Sequence, residues 1–128
     1  MATRDDVRRL ALALPEVVED DEHFGFRVDG KLIAWVWLER VDPNKARRPN
    51  PDVLAVRTPS EDEKWALIDL DPSVFFTERH YDGYPAILVR LPQVDLEMLC
   101  QLLTNAWRSK APKRLLTSSS GPGGPSAS

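Results

Sequence analysis

Phe24-Gly25-Phe26-Arg27-Val28-Asp29-Gly30-Lys31-Leu32-Ile33-Ala34-Trp35-Val36-Trp37-Leu38 places two apolar runs on either side of an Asp-Gly pair. A type I′ turn needs positive φ at both central residues, and Asp-Gly between apolar runs is the strongest short-range sign of one, so the stretch reads as a β-hairpin. On its second strand Leu32, Ala34, Val36 and Leu38 fall on one face and Ile33, Trp35 and Trp37 on the other. Both faces are apolar. The strand is therefore either central and covered twice, or it bears an exposed aromatic patch. Burial beneath a helix is favoured, because large aromatic side chains are mostly buried in folded domains.

Upstream, Thr3 with Asp6 makes a capping pattern, and Val7, Leu10, Ala11 and Leu14 recur at helical spacing until Pro15. The acidic stretch from Glu16 to Glu22 has little to bury and reads as a loop or an edge strand. Downstream, residues 39–52 hold Pro43, Pro49 and Pro51 among basic and polar residues, and read as a long hairpin loop. A strand resumes over 53–57. Ser60 then caps a helix predicted from Glu61 to Ile68, closed by Asp71-Pro72. Strands are predicted at 74–77 and 86–91, joined through an Asp82-Gly83 turn. Asp95 caps a last helix with Leu96, Leu99, Cys100, Leu102, Leu103, Ala106 and Trp107 as its apolar positions. The order α-β-β-β-α-β-β-α suggests one antiparallel sheet packed by helices.

The chain has 128 residues, 42% of them apolar and 29% charged, the balance of a globular domain. Residues 1–116 read as one domain and 117–128, rich in Ser, Gly and Pro, as a flexible tail. No apolar run reaches the length of a membrane span, and the acidic N-terminus lacks the basic start of a signal peptide, so a cytoplasmic location is expected. Cys100 is the single cysteine, which excludes an intramolecular disulfide; it reads as buried and inert on the apolar face of the last helix. Net charge is −3, yet residues 39–57 carry five basic groups against three acidic, and 100–128 carry four against none. Brought together, these two basic segments would make a local phosphate-binding patch; apart, they are solvated loops.

The Phe24–Ala34 stretch, followed by Phe75-Phe76 and by Trp107 ahead of Ala111-Pro112-Lys113-Arg114-Leu115, resembles the MmcQ/YjbR-like proteins. These are small bacterial α+β domains in which a strand-turn-strand unit reading FRV-x-GK opens the sheet and an APKRL end closes the last helix. The resemblance spans roughly residues 3 to 116. It implies a single antiparallel β-sheet of about five strands packed by N-terminal and C-terminal helices, a secretion-chaperone-like architecture. It also implies DNA binding through protruding β-hairpin wings rather than a helix-turn-helix. Carried onto this chain, the wing is the 39–52 loop.

The chemistry of the side chains points away from catalysis. Glu19-Asp20-Asp21-Glu22-His23 lacks the spaced ligands of a calcium loop and the extra His or Cys of a zinc or iron site, so no metal and no cofactor are expected. His80 beside Asp82 has the elements of a general base, but no nucleophile accompanies it. No phosphate-cradling glycine loop and no Gly-x-Ser-x-Gly occurs. The leading expectation is a non-enzymatic protein that binds DNA through phosphate contacts from Arg40, Lys45, Arg47, Arg48, Lys113 and Arg114. The alternative is a protein-interaction or self-association module that docks a partner or a second copy on Ile33, Trp35 and Trp37.

Overall fold

The computed structural model describes residues 2–20, 24–39, 48–81 and 83–115, with 38–39, 48–51 and 80 described by their backbone alone. Thr3 opens α1 (Arg4–Leu12) with a reciprocal cap. Its hydroxyl accepts from the Asp6 amide at 3.3 Å, while the Asp6 carboxylate accepts from the Thr3 amide at 3.0 Å. The helix buries Val7 and Ala11. β1 (Val18–Glu19) pairs with β2 (Gly25–Val28), so the acidic stretch does contribute an edge strand, two residues long.

Asp29 and Gly30 have φ of 53° and 76°, the positive pair that a type I′ turn requires, and they connect β2 to β3 (Lys31–Glu39). β4 (Arg48–Arg57) starts five residues before the expected Val53, because a proline can sit in a strand where no further strand needs its missing N–H. Ser60 caps α2 (Glu61–Leu70), accepting from the Glu63 amide at 3.2 Å. β5 (Phe75–Phe76), a 3-10 turn at Arg79–Tyr81, β6 (Ala86–Arg90) and α3 (Leu96–Lys110) complete the order. The strands form a single six-stranded antiparallel sheet in the order β1-β2-β3-β4-β6-β5. The expected α+β architecture is thus observed, with one more strand than the expected five or so. The expected tail, 117–128, lies outside the described residues.

One sheet face is closed by α1 and α3. Val7, Ala11, Leu99, Leu103, Ala106 and Trp107 pack with Phe26, Val28, Ala34, Val36, Val56, Ile87 and Val89 in the larger core. Trp107, only 2% exposed, satisfies its indole by donating from Nε1 to the Pro15 carbonyl at 2.9 Å. The opposite face holds a smaller cluster of Val53, Ala55 and Leu88 beneath Trp35, Trp37, Phe76 and Tyr81. Two expectations are corrected. Ile33 falls at a bulge, where Phe26 pairs with Ala34 and Arg27 with Leu32; it is fully buried in the larger core instead of lying with Trp35 and Trp37. Cys100 is exposed, because the inward stripe of α3 runs through Leu99, Leu102, Leu103, Ala106 and Trp107 and leaves position 100 outside it.

α2 buries a charge. Lys64 is fully buried and donates from Nζ to the carbonyls of Tyr81 and, at 3.0 Å, Tyr84, which ties the helix to the 78–84 segment. On the surface, Arg8 clasps Glu19 at 2.8 and 2.9 Å, joining α1 to β1, and Arg114 clasps Glu16 through two contacts of 2.8 Å.

Three outcomes follow from this construction. Gly30→Ala places a Cβ in open space at a φ of +76°, so its cost is backbone strain alone: about 1–2 kcal/mol in a urea titration. Lys64→Met keeps the aliphatic stem but removes the donor from two carbonyls; a loss of about 1–3 kcal/mol is expected, and unchanged stability would refute the clamp. The third is a pH dependence. The Asp6 carboxyl is held below its ordinary value by the Thr3 amide and then Arg9, that of Glu16 by Arg114 and that of Glu19 by Arg8. Such groups bind fewer protons folded than unfolded, so their stabilisation is present above about pH 4 and fades as pH falls through the lowered folded values. Urea midpoints measured down that range should drop, and about 1 M salt should shrink the drop.

Candidate functional site

The β3–β4 pairing has two parts. Up to Val36 and Leu54 both strands lie inside the sheet, flanked by β2 and β6. The register then shifts: Val36 pairs with Leu54 but Trp37 pairs with Asn50, so Pro51, Asp52 and Val53 fall between consecutive rungs. Beyond the shift, Trp37, Leu38 and Glu39 pair with Asn50, Pro49 and Arg48, and among the described residues no further strand pairs with either side. An irregularity of this kind bends the strand and increases its twist, and beyond it the hairpin is a two-stranded ribbon. Residues 40–47 connect its strands.

The predicted basic residues divide accordingly. Arg40, Lys45 and Arg47 lie outside the described residues; Arg48 is the first residue of β4. Lys113 and Arg114 follow α3. Arg114 is ion-paired with Glu16, and its guanidinium is held more firmly protonated by Glu16 and, less strongly, by the Asp29 carboxylate. Asp29 belongs to the β2–β3 turn, at the opposite end of β3 from Glu39. A nine-residue strand separates those ends by roughly 26 Å. Arg114 thus lies nearer the Asp29 end of β3 than the end marked by Glu39.

The second feature is the sheet face beneath the ribbon's base. Strand alternation places Trp35 and Trp37 of β3, Val53, Ala55 and Arg57 of β4, and Ala86, Leu88 and Arg90 of β6 on this side. Trp35 donates from Nε1 to the Tyr81 hydroxyl at 3.1 Å, and Trp37 to Glu78 Oε2 at 3.0 Å. Trp37 meets Phe76 edge-on with centroids 5.6 Å apart, and Trp35 meets Tyr84 at 6.4 Å. Two guanidinium groups lie over these rings: Arg57 sits 5.7 Å from Trp35 and 5.4 Å from Tyr84, and Arg90 4.1 Å from Phe76. Arg57 donates to the Leu32 carbonyl at 2.9 Å, and Arg90 to those of Pro72 and Ser73 at 3.2 and 3.4 Å. Neither has a carboxylate partner among the described residues.

Sequence reasoning picked out Trp35 and Trp37 but missed Arg57 and Arg90. The signal was available, since Ile87, Val89 and Leu91 define one face of β6 and leave Arg90 on the other. Lys64 was missed too, although Leu67 and Ile68 follow it at helical spacing on the inward side of α2. Of the acidic run, Asp21, Glu22 and His23 lie outside the described residues, while Glu19 and Asp20 are engaged by Arg8 and Arg27. The His80 side chain is likewise outside what is described. Among the described residues, no group of three His, Cys, Asp or Glu side chains is placed to hold a metal ion, and no helix is long and apolar enough to cross a membrane.

Uncharacterised proteins of Mycobacterium bovis and of two strains of Mycobacterium tuberculosis are each 43% identical to this chain over 122 residues, covering 91% of it and 94% of their own length. No solved structure matches the chain. A family model described as YjbR matches residues 12–109, from the end of α1 through most of α3. The match takes in the hairpin that organises the sheet, Phe75-Phe76 and Trp107, and stops before Ala111–Leu115. By sequence, the chain belongs to the YjbR family.

Proposed function

We propose that this protein is a non-enzymatic DNA-binding protein whose β3–β4 ribbon grips backbone phosphates. The observation that carries the reading is the ribbon itself: a two-stranded stretch beyond the register shift at Val36 and Trp37, whose linking segment and first β4 residue supply Arg40, Lys45, Arg47 and Arg48. These four cations are close in sequence, and local potential rather than a net charge of −3 governs approach to a polyanion. A β-ribbon also fits a DNA groove. Arg114 contributes less, because Glu16 already neutralises it.

The test is fluorescence anisotropy of a random duplex titrated with the protein over a series of salt concentrations. Affinity should fall steeply with salt, and Arg47→Ala together with Arg48→Ala should weaken binding on every sequence and flatten the salt slope by about two, one unit per lost phosphate contact. A double variant that binds like the parent, or a parent that does not bind at low salt, would refute the reading.

A further inference from the structure

The aromatic face beside the ribbon has an accessible surface that the duplex reading does not use. Trp35, Trp37 and Phe76 are half-buried and Tyr84 is 39% exposed, so each keeps part of its surface in solvent. Arg57 and Arg90 frame the face. Val53 pairs with Arg90 and Arg57 with Ala86, which sets the two arginines four residues apart along the paired strands, or roughly 13 Å. Arg57 is steadied by one backbone carbonyl and two rings, Arg90 by two carbonyls and one ring, and neither is ion-paired among the described residues.

We infer that this face is a stacking platform for a single-stranded nucleic acid, with unpaired bases lying against Trp35, Trp37 and Tyr84 and phosphates meeting Arg57 and Arg90. The inference rests on the nucleic-acid reading above and adds the kind of strand recognised. The ligand must offer flat π-faces and negative charge at a regular spacing along a flexible chain, which a single strand does. A duplex keeps its base faces stacked inside and has none to offer these rings. An acidic peptide would satisfy the guanidinium groups but bring no ring to the aromatic floor. The platform is also continuous with the ribbon, since Trp37 is both its edge and the first residue past the register shift.

The four tryptophans make the test direct, because they sit in distinct places: Trp35 and Trp37 on the face, Trp65 45% exposed on α2, and Trp107 in the larger core. The full chain is labelled with 5-fluorotryptophan, its fluorine signals are assigned with single Trp→Phe variants, and it is titrated with oligothymidylate, with the oligothymidylate–oligoadenylate duplex and with polyglutamate. The single strand should shift the Trp35 and Trp37 signals and leave that of Trp107 in place. Tyr84→Ala and Arg90→Gln, both at accessible positions, should each weaken single-strand affinity by roughly fivefold or more, while duplex affinity is unchanged. Single-strand binding that leaves the Trp35 and Trp37 signals unmoved would overturn the platform, and duplex binding that still depends on Arg47 and Arg48 would then leave the ribbon reading intact. Absence of binding to either nucleic acid would sink both. Polyglutamate moving the same signals as strongly would overturn the platform in favour of an acidic protein partner.

Discussion

The pairing of β3 with β4 is the constraint on which the rest of the structure depends. Side chains alternate along a strand, so a slip of one residue would exchange the contents of the two sheet faces. With Ala34 opposite Val56 and Val36 opposite Leu54, the aliphatic set faces α1 and α3, and Trp35 and Ala55 are left for the other side. The type I′ turn at Asp29 and Gly30 anchors one end of β3, and the register shift after Val36 releases the other. Between them lies the length of strand that the helices need to cover.

The second face follows from a shortage of cover. Among the described residues three helices pack this sheet, and each turns apolar side chains toward the larger core. What remains to close over Val53, Ala55 and Leu88 is their own neighbours: two tryptophans, a phenylalanine and a tyrosine brought in by the 3-10 turn. Rings standing on a sheet cannot shield one another fully, which is why these residues are half-buried while Trp107 is sealed. Their hydrogen bonds to Tyr81 and Glu78 fix the indoles at little further entropic cost, since an indole has few rotatable bonds. Lys64 holds this arrangement from beneath by clamping the carbonyls of Tyr81 and Tyr84. A buried ammonium is a costly way to secure a loop unless every donor is used, so its presence marks the 78–84 segment as one whose position matters.

Elements built from local signals were legible in the sequence; those decided by distant contacts were not. The caps at Thr3, Ser60 and Asp95 and the Asp29–Gly30 turn act within four residues of themselves, and all four occur as read. Ile33 misled because a bulge has no local signature: strict alternation puts it beside Trp35, and only the offset pairing with β2 turns it inward. Cys100 misled because one stripe was drawn through every apolar residue of the last helix, whereas Leu96 and Cys100, four apart, lie together on the outside. The opening of β4 was hidden by Pro49 and Pro51, which argue against a central strand but are compatible with a ribbon that no third strand flanks. Of the candidate site, Trp35 and Trp37 were visible as aromatics, but their arginine partners come from β4 and β6, and no local window joins the three strands.

Charge placement ties the two surfaces together. On the helical side and around its edges, cations meet carboxylates: Arg8 with Glu19, Arg9 with Asp6, Arg27 with Asp20 and Arg114 with Glu16. Exposed pairs of this kind add little stability each, but they cancel the field of the groups they join. On the aromatic face Arg57 and Arg90 meet carbonyl oxygens and rings instead, contacts that orient a guanidinium without neutralising it. The base of the ribbon adjoins this face, since Trp37 packs edge-on against Phe76 and is the first residue past the register shift.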